Sequence, residues 1–200
     1  MLDSTDPTIY RSGQRHPILL IPGIWETWHF LRPLAEHLHA AGHPVHVLAA
    51  LGWNGGTVRA GADLAGAYVR EHDLTDVVIV AHSKGGLIGK YAMLFADPDA
   101  RLTRMVAIST PFSGSIYARY LPLADLRAFS PADPTTVLLG GHREVNRRIT
   151  SIYPVFDPHI PGGSALPDAT NIRLPVAGHF RPLADRRVLD ALDVALSQPA

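Results

Sequence analysis

The stretch Val77-Val78-Ile79-Val80-Ala81-His82-Ser83-Lys84-Gly85-Gly86-Leu87-Ile88-Gly89-Lys90 decides how the rest of the chain is read. Four β-branched residues in succession, without polar alternation, mark a strand buried on both faces, as in the middle of a parallel sheet. The apolar run stops at Ala81, and a helical pattern starts just after Ser83. Between them Ala81-His82-Ser83-Lys84-Gly85 fits G-x-S-x-G, with alanine in the first glycine position. A serine on so sharp a strand-to-helix turn takes a strained backbone and brings the residues two before and two after it close together. Small residues at 81 and 85 leave that space, and Gly86 lets the helix pack near its neighbours. Such a turn lifts the hydroxyl clear of the sheet and aims a helix N-terminus at the oxygen it would attack. The plainer reading of the same residues is a serine N-cap on an ordinary βα unit.

Composition narrows the classes. Two hundred residues, 46% hydrophobic and 18% charged, suit one domain spanning 1–200 with room for a real core. Eighteen basic residues balance eighteen acidic ones, so charge makes no case for a nucleic-acid partner or an anionic membrane. The chain has no cysteine, which excludes disulfides, thiol catalysis and cysteine metal sites. No apolar run approaches the roughly 20 residues of a membrane-spanning helix. Met1-Leu2-Asp3-Ser4-Thr5-Asp6-Pro7 lacks a basic and then apolar leader pattern, so the expectation is a cytoplasmic chain, or a secreted one if a leader was removed.

Outward from the central stretch, the chain alternates strand and helix patterns. Residues 1–16 read as an extended arm, and His16-Pro17-Ile18-Leu19-Leu20-Ile21-Pro22-Gly23 as the first strand, stopped by Pro22-Gly23. Phe30, Leu31, Leu34, Ala35 and Leu38 form a helical stripe over 28–41. A second strand over 45–51 leads into Gly52-Trp53-Asn54-Gly55-Gly56, and Thr57 caps a helix over 57–72. After the serine, a helix to 96 is followed by strands over 104–109, 149–156 and 171–176 and a last helix over 183–197. Residues 115–148 are less regular, with room for one or two short helices and a small cap. The pattern predicts an α/β architecture: a minimal, mostly parallel six-stranded sheet flanked by helices.

In an open α/β sheet, chemistry gathers at the carboxyl ends of strands. Four of the six candidate strands end in groups useful for acyl transfer: Pro22-Gly23-Ile24, Ser83, Asp157 and His179. The order serine, acid, histidine is the one expected of the α/β-hydrolase fold. Ser83 is then the nucleophile, His179 the base, and Asp157 the acid that fixes the imidazole tautomer. The backbone N–H groups of Ile24 and Lys84 would bind the oxyanion.

The chain resembles the α/β-hydrolases, among them the small, nearly capless bacterial lipases and class 2 lipases. Ile21-Pro22-Gly23-Ile24 resembles their oxyanion turn, although histidine usually stands where Pro22 does. Ala81-His82-Ser83-Lys84-Gly85 resembles their alanine-first serine turn, and Thr110-Pro111-Phe112-Ser113-Gly114-Ser115 their T-P-x-x-G-S segment. Asp157-Pro158-His159-Ile160-Pro161 is similar to the acid with its hydrophobic-proline pair, and Ala177-Gly178-His179 to the segment holding the histidine. The resemblance implies a lipase or esterase acting on a small-molecule ester or lipid, without metal or cofactor. Trp25, Phe112 and Ile160 are the candidate substrate-binding residues.

Rival readings stand beside these. His82 adjoins the nucleophile, but the turn points neighbouring side chains apart, so it reads as packed rather than as the base. His159 is next to the acid, where a side chain seldom faces back onto it. Asp168 is the rival acid. Trp25, Trp28 and Phe30 either line an acyl pocket or cover the sheet edge. Lys84 opens a helix whose dipole disfavours a cation, so its side chain either pairs with an acid, Glu26 being the candidate, or faces the cleft to attract anionic esters. An acyltransferase or thioesterase would use the same three residues. A binding protein on this fold would need none of them.

Overall fold

The computed structural model describes residues 6–198 apart from 121–128. Among them a six-stranded sheet is formed by β1 (Ile18–Ile21), β2 (Val45–Val47), β3 (Val77–His82), β4 (Leu102–Ile108), β5 (Ile149–Phe156) and β6 (Thr170–Ala177). The spatial order is β2-β1-β3-β4-β5-β6, and every neighbouring pair is parallel.

The apolar runs acquire meaning from the two-residue period of a strand. Ile18 and Leu20 of β1, Val78 and Val80 of β3, and Val106 and Ile108 of β4 enter one core layer. Their alternates Leu19, Ile21, Ile79, Ala81, Met105 and Ala107 enter the other. Helices α1 (Arg32–Ala40) and α5 (Arg186–Ser197) cover the first face. Helices α2 (Val58–Glu71) and α3 (Lys84–Tyr91) cover the second. Burying each Leu or Ile side chain contributes about 1.5–3 kcal/mol, which is why the central strands carry no polar alternation.

Several boundaries differ from the sequence expectation. The stretch read as an extended arm contains a 3-10 helix, Pro7–Tyr10, which places Tyr10 in the core against Trp28 and His39. The second strand is shorter than 45–51, because a 3-10 turn, Ala49–Leu51, takes over. The helix after Ser83 becomes a π turn, Ala92–Ala96. Within 115–148, the described residues form a 3-10 helix Ile116–Tyr120, α4 (Pro134–Gly141) capped by Asp133, and a 3-10 helix Glu144–Arg148. The rest of the expected cap, 121–128, lies outside the described residues. No described helix is long and apolar enough to cross a membrane.

The sheet order positions the site. From β1 the chain steps outward to β2, then returns to β3 on the other side of β1. Connections therefore diverge at the carboxyl ends of β1 and β3, and the crevice left there is where ligands bind in such sheets. Pro22 and Gly23 leave β1 into that crevice, and Ser83 leaves β3 into it.

Candidate active site

Ser83 sits at φ 50° and ψ −120°, a conformation that costs a side-chain-bearing residue about 1–3 kcal/mol. Two backbone bonds hold it there: Ser83 N–H to the Ile108 carbonyl at 2.9 Å, and Gly86 N–H back to the Ser83 carbonyl at 3.1 Å. Glycine at 85 is obligatory for a local reason. A Cβ there would lie 2.2 Å from the Ile21 carbonyl oxygen, so the turn closes directly over the end of β1.

The acid and the imidazole come from the other side of the crevice. The β5–β6 register shifts between Pro154 and Phe156, re-aiming the chain just before Asp157. Asp157 is buried; one carboxylate oxygen accepts from the His159 and Ile160 N–H groups, at 2.8 and 3.2 Å. The other lies 2.7 Å from His179 Nδ1, and His179 Nε2 lies 2.9 Å from Ser83 Oγ. Hydroxyl, imidazole and carboxylate thus form one continuous hydrogen-bonded chain, assembled from three strand ends. Such a chain can take a proton from the hydroxyl and return it to a leaving group.

The electrostatics match. Burial holds the His179 pKa below its ordinary value; the Asp157 hydrogen bond opposes this, and the nearby His82 reinforces it. Burial alone would raise the Asp157 pKa, but the hydrogen bond and charge of His179, with the two backbone N–H groups, leave it below the usual carboxylate range. A neutral imidazole beside an ionised carboxylate is the resting form at neutral pH.

Above Ser83 opens a cavity of about 630 Å³. Its walls are mostly apolar: Ile24, Trp25, Tyr117, Phe129, Ile160 and Phe180, with Ser83 and His179 at the floor. Trp25 and Ile160 therefore reach the cavity, as the sequence reading expects, but Phe112 does not. It is buried in the core layer under α2 and α3, and Pro111 meets the cavity in its place. Of the other two aromatic candidates, Trp28 is a core residue, and Phe30 is exposed beside Phe180. Ile24 borders the cavity next to the serine, and Lys84 begins α3.

The rivals separate clearly. Asp168 is tied to Arg143 at 2.7 Å, away from His179. His159 does turn back, against the sequence expectation: its Nδ1 is 3.8 Å from Asp157, and its ring lies 4.7 Å from that of His179. Donor atoms of Asp157, His159 and His179 lie within 4.8 Å of one another, close enough to coordinate an ion, although two of the three already bond each other. Sequence spacing concealed this grouping, because His179 comes from a different strand end.

Glu26 is not the partner of Lys84 that the sequence reading offered. The Lys84 ammonium donates to the carbonyls of Asn54, at 2.6 Å, and of Gly56. Asn54 in turn donates from its side chain to the Pro22 carbonyl at 2.8 Å. The lysine thus braces the glycine-rich loop against the end of β1, while Glu26 is engaged elsewhere: it accepts from Gly23 N–H and meets His82. Asn54 was missed from sequence. The available signal was an asparagine in a glycine-rich loop, a residue that tolerates its observed φ of 50°.

A parallel, doubly covered sheet with serine after β3, acid after β5 and histidine after β6 is the α/β-hydrolase fold. No family model and no curated protein matches the sequence. Solved structures are similar in fold. The mature form of Bacillus licheniformis lipase BlEst2 is similar over 99% of this chain and 96% of its own, at 16% identity and a TM-score of 0.73. The ydeN gene product of B. subtilis is similar over 92% of this chain and 100% of its own, at 21% identity and a TM-score of 0.67. An extracellular α/β-hydrolase from a Paenibacillus species covers 92% of this chain and 100% of its own, at 17% identity and a TM-score of 0.64.

Proposed function

We propose that this chain is a serine hydrolase of carboxylic esters, a lipase or esterase working through an acyl-enzyme. One observation carries the reading: the hydrogen-bonded chain from Ser83 through His179 to Asp157 stands at the floor of an apolar cavity of about 630 Å³. Ser83 Oγ attacks the ester carbonyl while its proton passes to His179 Nε2. Asp157 stabilises the resulting imidazolium. The backbone N–H groups of Ile24 and Lys84 receive the oxyanion, and His179 then protonates the departing alcohol. Water repeats the sequence on the acyl-enzyme, with His179 again taking the proton, and releases the acid.

The cavity walls suit an aliphatic or aromatic acyl group, and its moderate volume favours short to medium chains. The likeness to BlEst2, itself a lipase, supports the reading. The test is a panel of p-nitrophenyl esters of graded chain length, with thioesters and an added alcohol acceptor. Hydrolysis that peaks at short to medium acyl length is expected, with fluorophosphonate labelling at Ser83. Ser83→Ala should lose about 10⁴- to 10⁶-fold in turnover and all labelling. Preferential transfer to the alcohol would move the assignment to acyl transfer, and an active Ser83→Ala enzyme would end it.

A further inference from the structure

A second acid–imidazole pair lies beside the one that contacts Ser83. Glu26 and His82 are both buried, at 2% and 0% exposure. His82 Nδ1 is 2.8 and 3.0 Å from the two carboxylate oxygens of Glu26. Its Nε2 lies 3.1 Å from the backbone carbonyl of His179. Glu26 also accepts the Gly23 N–H at 2.8 Å, and a Cβ on residue 23 would stand 2.5 Å from its Oε1.

The pair therefore ties together three parts of the site that the chain keeps apart. Gly23 belongs to the turn after β1, His82 immediately precedes Ser83, and His179 follows β6. Hydrogen-bond accounting fixes the number of protons on the pair. A carbonyl can only accept, so Nε2 carries a hydrogen; one more proton lies between Nδ1 and the carboxylate. The Gly23 N–H also donates to that carboxylate, which as an anion would accept every hydrogen offered to it.

The geometry points to Glu26 and His82 as positioning residues: a buried carboxylate–imidazolium pair that sets the Gly23 turn and the His179 main chain around Ser83, and keeps positive charge beside the base. This rests on the hydrolase reading for its kinetic consequences. The His82 ring is 4.8 Å from that of His179. The other groups facing His179 are Asp157 on Nδ1, Ser83 on Nε2 and His159 against the ring face. The Lys84 ammonium is directed to the carbonyls of Asn54 and Gly56 instead.

Glu26→Gln separates charge from geometry. The amide oxygen can still accept from Gly23, and the amide nitrogen can donate to Nδ1 of a now neutral His82, whose Nε2 keeps its bond to residue 179. Every hydrogen bond survives, and an ion pair becomes a neutral pair of unchanged net charge. The experiment combines nitrogen NMR of histidine-labelled protein with kcat and KM for a p-nitrophenyl ester across pH 5–9. Both ring nitrogens of His82 should be protonated at pH 7 in the parent, and only one in Glu26→Gln. In that variant the acidic limb of kcat/KM should move up by about half a unit, because the imidazolium beside His179 is gone and the carboxylate lost with it lay on the far edge of the His82 ring. A purely structural clamp would leave that limb in place. Glu26→Ala, which frees Gly23, should lower kcat by about 10²-fold with KM nearly unchanged; if it does not fold, Glu26→Asp, one methylene short of Gly23, takes its place. A singly protonated His82 in the parent, or a Glu26→Ala enzyme within about threefold of the parent kcat, would overturn the proposal. The nitrogen spectra need no substrate, so a parent without ester turnover fails the hydrolase reading while His82 protonation still decides the pair.

Discussion

Asp157 and Asp168 show how little the identity of a residue says about its role. Both follow or lie within the loop between β5 and β6, yet one carboxylate is buried against His179 and the other is held by Arg143. Asp157→Asn should lower turnover by about 10⁴-fold, since the amide favours the wrong imidazole tautomer. Asp168→Asn should stay near the parent rate, and equal losses in the two variants would undo the assignment of the acid. The pH dependence is argued on the same atoms. Burial holds the His179 pKa below 6.5, so this imidazole becomes neutral, and able to accept a proton, at a lower pH than a solvated histidine. The kcat/KM profile should rise through a midpoint below about 6.5 and be flat by pH 7.5. Stopped buffers from pH 4.5 to 8 on a stable ester measure it. A midpoint above 7 would contradict the environment described. At this scale the meeting of Ser83, Asp157 and His179 was legible, because strand ends and small residues announce it. His159 and the Glu26–His82 pair were not, because their contacts cross between loops far apart in the chain.

Helices α2 and α3 illustrate what an element needs beyond its own pattern. Thr57 caps α2 by accepting the Ala60 N–H at 3.1 Å, a feature readable from the sequence. The docking of α2 on the π turn after α3 was not readable. A Cβ on Gly66 would come within 2.1 Å of the Ala96 carbonyl oxygen, which also accepts from Arg70. Alanine normally favours a helix by up to about 1 kcal/mol over glycine. Here the clash with backbone outweighs that preference, and Gly66→Ala should destabilise the fold by about 1–3 kcal/mol in urea unfolding. A stabilised variant would show that the two helices are not held this closely. The same logic explains the misjudged boundaries. Burial of Tyr10 draws the arm into a turn, and the π turn lengthens a helix past its own hydrogen-bond register, neither of which has a local signature.

Over the whole molecule, charge and burial set the response to pH. His46 is pushed down to about 4 chiefly by burial, and His43 and His179 are lowered for the same leading reason. Between about 6.5 and 4 the unfolded chain binds protons that the folded one refuses, so stability should fall as pH drops through that window. The melting temperature at pH 7 and 4.5 measures this, and His46→Gln should flatten the dependence. A melting temperature independent of pH over that range would show these imidazoles to be solvated. The sequence by itself determined the layered α/β architecture, the six strands and the strand ends that bear serine, acid and histidine. It could do so because central strands buried on both faces, β1 and β3, are almost uniformly apolar, and a strained turn must be flanked by small residues. Which side chains meet was decided only by the tertiary structure. The partners of Lys84, Glu26 and His82, and the exclusion of Phe112 from the cavity, depend on how separate loops pack at the reversal between β1 and β3, and no spacing along one chain encodes a distance across that crevice.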